Sequence, residues 1–307
     1  MQTGGKTLAV LIASSMLSAC GGGGGGTVGP TPPAVTTTFT TWRTDVAGKA
    51  IQVDGLGKQV SYTYDLANKR INTISTPQDV SASAVFTFDN ASVLTGLFLS
   101  SAPTTLGFTA GPIPVLTANP DFVIAENTAS RAIMSNPRSL AWDYQSFGVW
   151  ESGLDTDHGY YGAVTLGART ADTAIPGSGT ANFKGQVVGS YVTAGGLGNT
   201  VLATLNVGVD WGTRSLTLST SGTQMSADGV TFSPNTGLNM TGTLNYSPGT
   251  NGFSGNLTTS ATSTSPTGLT GNSTGQFYGP TAEELGGVFF LQGSGLETYS
   301  GAYGAKR

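Results

Sequence analysis

The sequence predicts an all-β protein: a C-terminal eight-stranded antiparallel up-and-down barrel, preceded by a smaller β-rich N-terminal region. Three observations carry this. Apolar and polar residues alternate with a period of two in short runs, the mark of strands with one buried and one solvated face. Turn dipeptides such as Gly195-Gly196, Pro248-Gly249 and Asn251-Gly252 separate the later runs, as hairpins require. Helical periodicity is nearly absent, while 38% hydrophobic residues over 307 positions suffice for a core in spite of 46 glycines.

The first segment, residues 1–19, carries one positive charge (Lys6), an apolar stretch from Leu8 to Leu17 and the small pair Ser18-Ala19. These are the three regions of a secretory signal peptide. The apolar stretch is too short to span the ~30 Å hydrocarbon layer as a stable helix. Cys20, the only cysteine, follows Leu-Ser-Ala directly, and the segment resembles a bacterial lipobox. The resemblance implies cleavage before Cys20 and attachment of fatty acyl chains, of the palmitate type, to its thiol and new amino group. Each buried CH₂ is worth about 0.8 kcal/mol, so several chains make a stable membrane anchor. An ordinary secretory signal with an incidental cysteine is the alternative. Gly21 stands where an aspartate would signal inner-membrane retention, which points to the outer membrane. Residues 20–40, with Gly21 to Gly26 and then Gly, Pro and Thr, cannot build a core and read as a tether of roughly 25 Å.

Residues 41–139 form the N-terminal β-rich region. In Lys58 to Asp65, Val60, Tyr62 and Tyr64 share one side; in Ser83 to Asn90, Phe86 and Phe88 do. Glu126 to Met134, between Asn119-Pro120 and Asn136-Pro137, is expected to form a short helix, with Pro137 as the boundary because proline removes a donor and fixes φ. Residues 140–307 are expected to hold the barrel, its strands at 141–151, 179–192, 199–211, 214–222, 236–247, 252–261, 271–279 and 286–294, with the C-terminal Thr298 to Arg307 closing the last pairing. Their outward positions are largely Thr, Ser, Asn and Gln, unlike the apolar band of a membrane-spanning barrel.

The stretch Gly275 to Gly293, "GQFYGPTAEELGGVFFLQG", followed by "GAYGAKR" (301–307), resembles the barrel domain of the transferrin-binding protein B family of surface lipoproteins, whose wider group includes factor H binding protein and haemophilins. "YQSFGVWE" and "IPGSGTANFKGQVVG" support the likeness, which covers roughly residues 140–307. By position, residues 41–139 correspond to a handle-like region. In the motif, Gly279-Pro280 ends a strand, Thr281 to Glu284 can make one helical turn with Thr281 capping and Glu283 at its start, and Gly286-Gly287 lets the chain re-enter the barrel ahead of Phe289. This segment reads as structural. The resemblance further implies an outer-membrane translocon as export partner. Transferrin-binding lipoproteins have two lobes, whereas this chain has length for one barrel.

Chemistry beyond this is sparse. Net charge is −4, with 13 Lys and Arg in no cluster, which argues against nucleic acid. One cysteine and one histidine exclude a Cys/His zinc site, so no metal is expected. Asp155 to Gly159 begins like a calcium loop but has Gly159 and Leu166 where carboxylates belong. Gly195 to Thr200 lacks the lysine and helix of a phosphate loop. No G-x-S-x-G elbow accompanies His158, so no catalytic residues and no enzyme activity are expected. No cofactor is expected either. His158, Tyr160 and Tyr161 are the candidate ligand-binding residues, with haem as one ligand they could take; a plain turn histidine is the competing reading. The sequence therefore points to a lipid-anchored binding module of the outer membrane, displayed at the cell surface, for a protein, iron source or haem. The alternative is a structural, shielding or periplasm-facing lipoprotein.

Overall fold

The computed structural model describes Pro33 and residues 37–43, 45–109, 111–136 and 139–307. The expected signal peptide, the Cys20 anchor and most of the tether lie outside the described residues. The first sheet comprises β1 (Thr37–Thr38), β2 (Ala50–Asp65), β3 (Arg70–Ile74), β4 (Gln78–Phe88), β5 (Leu94–Ser101), β6 (Thr104–Phe108), β7 (Val115–Leu116), β8 (Asn119–Glu126), β9 (Ser130–Ser135), β10 (Gln145–Ser152) and β11 (His158–Gly167). The second comprises β12 (Thr180–Val192), β13 (Gly198–Asp210), β14 (Ser215–Ser226), β15 (Ser233–Pro234), β16 (Met240–Tyr246), β17 (Phe253–Thr259), β18 (Thr270–Tyr278), β19 (Glu284–Gln292) and β20 (Thr298–Lys306). The described residues hold no α-helix, only two short 3₁₀ turns at Asp172–Ala174 and Thr236–Leu238.

The second sheet closes on itself. β12, β13, β14 and β16 to β20 pair antiparallel in sequence order, β13 pairs β14, and β20 returns to β12. This is the eight-stranded up-and-down barrel expected. Its interior is filled by alternate residues, among them Phe183, Tyr191, Leu205, Phe253, Phe277, Phe289, Tyr299 and Tyr303. Outward positions on β16, β17 and β18, such as Thr241, Thr243, Asn256 and Asn272, are exposed and uncharged.

The first sheet runs β6-β5-β4-β2-β11-β10-β9-β8-β7 and curls into a half-barrel around its own core of Trp42, Ile51, Phe86, Leu97, Phe108, Val123, Met134, Trp150 and Leu166. Its other face lies against the barrel wall. There Phe122, Ile133, Trp142, Phe147, Val149 and Ala163 meet Val188, Leu202, Val288 and Ala302, and Val60, Tyr62, Tyr64, Ile71 and Tyr161 meet Val192 and Phe290.

The structure corrects three expectations. Residues 141–151 do not open the barrel: β10 and β11 pair with each other and with β9 and β2 in the first sheet, so the closed sheet begins at Thr180 and not near residue 140. Pattern alone cannot assign a strand to one of two adjoining sheets when both of its faces are apolar. The expected helix at Glu126 to Met134 is the β8–β9 hairpin. Asn127 Oδ1 accepts the Ala129 and Ser130 N–H groups at 3.0 and 2.9 Å, an Asx turn that reverses the chain. Finally, residues 279–282 form a turn rather than a helical one, with Ala282 at φ 61°.

Candidate functional site

The motif that carried the family likeness sits where the half-barrel joins the barrel. Gly279 adopts φ +90°, and a Cβ there would lie 2.4 Å from Glu283 Oε2 and 2.7 Å from the Tyr144 ring, so only glycine fits on both counts. Pro280 is exposed in the turn. Glu283 accepts the Thr281 N–H at 2.8 Å and its hydroxyl at 2.7 Å. Burial pushes the Glu283 carboxyl up, but these bonds outweigh it and hold the group below its ordinary range. The side chain of Phe289 points into the barrel, edge-on to Tyr299 with ring centroids 4.9 Å apart.

Glu284 turns the opposite way, into the junction, and is fully buried. It accepts the backbone N–H of Asp143 at 2.7 Å and of Tyr144 at 3.1 Å. Burial dominates its titration and raises it to about 7 against the lowering effect of those two bonds and of Lys306, with Asp143 adding to the rise. Asp143 itself pairs with Arg43, whose second nitrogen reaches Oδ2 at 2.7 Å, and with Lys306 at 2.7 Å. Burial pushes the Asp143 carboxyl up, but these two cations win and hold it low. Gln145 completes the junction by donating to the carbonyls of Leu285 at 2.7 Å and Ala305 at 3.2 Å.

The paired glycines make room for these contacts. A Cβ at Gly286 would lie 2.4 Å from both Gln145 Oε1 and Thr165 Oγ1, and one at Gly287 would lie 2.4 Å from the Tyr303 hydroxyl. Gly286 thus admits the half-barrel from outside, and Gly287 admits a barrel aromatic from within. Gly286→Val is expected to cost about 3 kcal/mol, in the range for overpacking a tight contact, read as a lower urea midpoint with unchanged slope. An unchanged midpoint would mean that the two sheets are not docked through this position.

Of the candidate ligand residues, the structure brings two together and sends the third away. His158 and Tyr160 share the concave face of β11. Tyr161, 4% exposed, faces the barrel, where its hydroxyl meets Thr298 Oγ1 at 3.2 Å and its ring lies 6.0 Å from that of Tyr62. Alternation along a strand makes this separation unavoidable. His158 is exposed and its Nδ1 lies 2.7 Å from Asp157 Oδ1. Register places His158 opposite Thr63 and Tyr160 opposite Ser61, and Thr63 opposite Thr73 on β3. Together with Ile74 and Ser75, these residues line a hollow of about 400 Å³ at the mouth of the half-barrel. Sequence reading marked His158 and Tyr160 but not Ser61, Thr63, Thr73 or Ser75. For Ser61 and Thr63 the available signal was the polar side of the Lys58 to Asp65 alternation; Thr73 and Ser75 are brought beside them by the β2–β3 pairing.

Side chains pack the barrel interior, the half-barrel lies against the barrel wall, and a hollow opens beside Tyr160. Residues 175–307 match the family described as the C-lobe and N-lobe β barrels of Tf-binding protein B, and the closed sheet from Thr180 to Lys306 lies within that match. Among solved structures, the chain is similar to a mutant of the transferrin-binding protein B vaccine antigen of Haemophilus parasuis Hp5, at 14% identity and TM-score 0.43, covering 84% of this chain and 76% of that one. It is similar to isotype 1 transferrin-binding protein B of serogroup B Neisseria meningitidis at 18% identity and TM-score 0.44, covering 75% of this chain and 52% of that one. A mutant antigen of Actinobacillus pleuropneumoniae H49 gives 13% identity and TM-score 0.44, with 82% and 99% covered. No curated protein matches.

Proposed function

We propose that the chain is an outer-membrane lipoprotein, displayed at the cell surface through Cys20, that acts as a non-catalytic binding module for a protein or an iron-related ligand of its host or surroundings. The observation that supports this best is the packed barrel interior, which leaves the outer faces as the surfaces able to engage a macromolecule. The transferrin-binding proteins named above favour a protein or iron-related ligand, with haem as one form of it. The buried carboxylates are engaged in structural bonds: Glu284 holds two backbone N–H groups, and Glu297 accepts the Tyr191 and Thr262 hydroxyls at 2.6 and 2.8 Å. The tether suits capture, because it lifts the domain off the leaflet. Export would use a dedicated outer-membrane translocon. A shielding role without a ligand is the second reading, favoured by the uncharged Ser, Thr and Asn wall of β16, β17 and β18.

Capture by the immobilised folded chain from serum and from culture medium, with haem titrated separately, tests the binding claim. A specific captured protein or a Soret shift is expected; neither, against a heat-unfolded control, would leave the shielding reading. For the anchor, Cys20→Ser is expected to abolish fatty-acid labelling and move the protein from membranes to the soluble fraction. Labelling that persists in the variant would refute Cys20 as the acylated residue.

A further inference from the structure

We infer that the hollow at the mouth of the half-barrel binds an uncharged pyranose ring of a glycan. The inference rests on reading the chain as a binding module and names the chemistry of one of its contacts. A pyranose offers an apolar face of C–H groups and a rim of hydroxyls, so its receptor needs an aromatic plane, short polar groups around it and no unpaired charge.

The hollow has each of these. Tyr160 is half-buried and packed from beneath against the half-barrel core, so its ring is already ordered and little freedom remains to be lost on binding. Four hydroxyls lie beside it in two rows fixed by strand register. Tyr160 faces Ser61, whose backbone N–H bonds Ser75 Oγ at 2.9 Å. His158 faces Thr63, whose hydroxyl lies 2.7 Å from that of Thr73. Adjacent strands stand ~4.8 Å apart, close to the width of a sugar ring, so neighbouring hydroxyls can meet neighbouring ring substituents. Thr63, Thr73, Ser75 and His158 are exposed, and a hydroxyl can both donate and accept; Ser75 Oγ already donates to the Thr76 carbonyl at 3.2 Å, which leaves it a lone pair to accept with.

The remaining features narrow the ligand. The rim carboxylate, Asp157, already holds the His158 ring, and the lining includes no lysine, arginine, aspartate or glutamate. A phosphate, sulfate or carboxylate ligand would find no fixed countercharge there. A volume of about 400 Å³ lies in the range of small-molecule sites and accommodates one or two sugar rings. His158 and Tyr160 project from the same face of one strand, so they do not form an opposed pair of axial ligands around a porphyrin.

The test is retention of the full chain, in detergent, on an array of neutral glycans: mannose- and galactose-terminated oligosaccharides of glycoprotein type, and glucan and dextran fragments. We expect retention on at least one class, weakened about tenfold or more by Tyr160→Ala and by the doubly substituted Thr63→Val/Thr73→Val, a loss equal to one good hydrogen bond or stacking contact. Thr105→Val, on the distant β6, should change nothing. Because Thr63 and Thr73 are exposed, the double variant keeps the fold if Tyr160→Ala does not. Retention on the oligosaccharides would place the sugar on a glycoprotein, and retention on glucan or dextran would place it on a polysaccharide. Absence of retention on all, or retention equal in the wild type and the Thr63/Thr73 variant, overturns the proposal. If a partner captured from serum is held equally after enzymatic deglycosylation, the binding-module reading stands and the saccharide site falls.

Discussion

A fragment spanning residues 140–307 is expected to aggregate, without a cooperative melt. It would retain β10 and β11 but remove β2 and β9, their ladder partners over nine and five residue pairs. It would also uncover one face of β10 and β11 that forms the half-barrel core with Phe86, Leu97 and Val123. A strand pair stripped on both edges is a template for non-native pairing. Cutting at residue 175 removes that pair but bares the wall formed by Val188, Val192, Leu202, Val288, Phe290 and Ala302, a contiguous apolar patch of the kind that drives association. Size-exclusion chromatography and thermal melts of the two fragments check this. A monomeric 140–307 fragment with a single sharp transition would show that the first sheet is dispensable for the second.

Glu284→Ala is expected to lower the unfolding free energy by about 3 kcal/mol, the cost of stranding buried N–H donors and opening a void. Its titration gives a further signature. The folded-state value of about 7 lies above the ordinary 4.5, so the native state holds this proton more tightly than the unfolded chain. The contribution is therefore fully present below about pH 4.5 and is lost as pH rises through about 7. Wild type should lose stability from pH 5 to 8 relative to Glu284→Gln, which cannot titrate there. The difference in slope, rather than the absolute stability of the glutamine variant, is the readout. Parallel pH profiles would mean that Glu284 ionises normally and is not sealed in the junction.

The sequence was most informative where a local rule acts alone. Alternation in Lys58 to Asp65 correctly put Val60, Tyr62 and Tyr64 on one buried face and implied the polar face that now lines the hollow. The turn dipeptides and the strand runs after residue 179 yielded the closed barrel. What stayed hidden was which sheet each strand joins. "GGVFFLQG" has no alternation because β19 is buried on both sides: Phe289 faces the barrel interior while Val288 and Phe290 face the half-barrel. That continuous apolar run was the available sign that a second layer covers the wall. The junction was illegible for the same reason. Asp143 and Gln145 meet Glu284 and Leu285 across some 140 residues of chain, and no local spacing encodes such a meeting. The helix expected at Glu126 to Met134 failed on one side chain, since Asn127 bonds the backbone two and three residues on and turns the chain.

Surface display is the claim on which the proposed function depends, and protease treatment of intact cells tests it most directly. If residues 20–40 are the proposed tether, their reach of roughly 25 Å would lift the domain from a leaflet without crossing an outer membrane, and the domain would lie on whichever side Cys20 is anchored. Protease added outside is expected to cleave within residues 21–40 and release a folded fragment containing both sheets, while a periplasmic control protein survives. Cleavage that occurs only after the outer membrane is permeabilised would place the domain in the periplasm and contradict it.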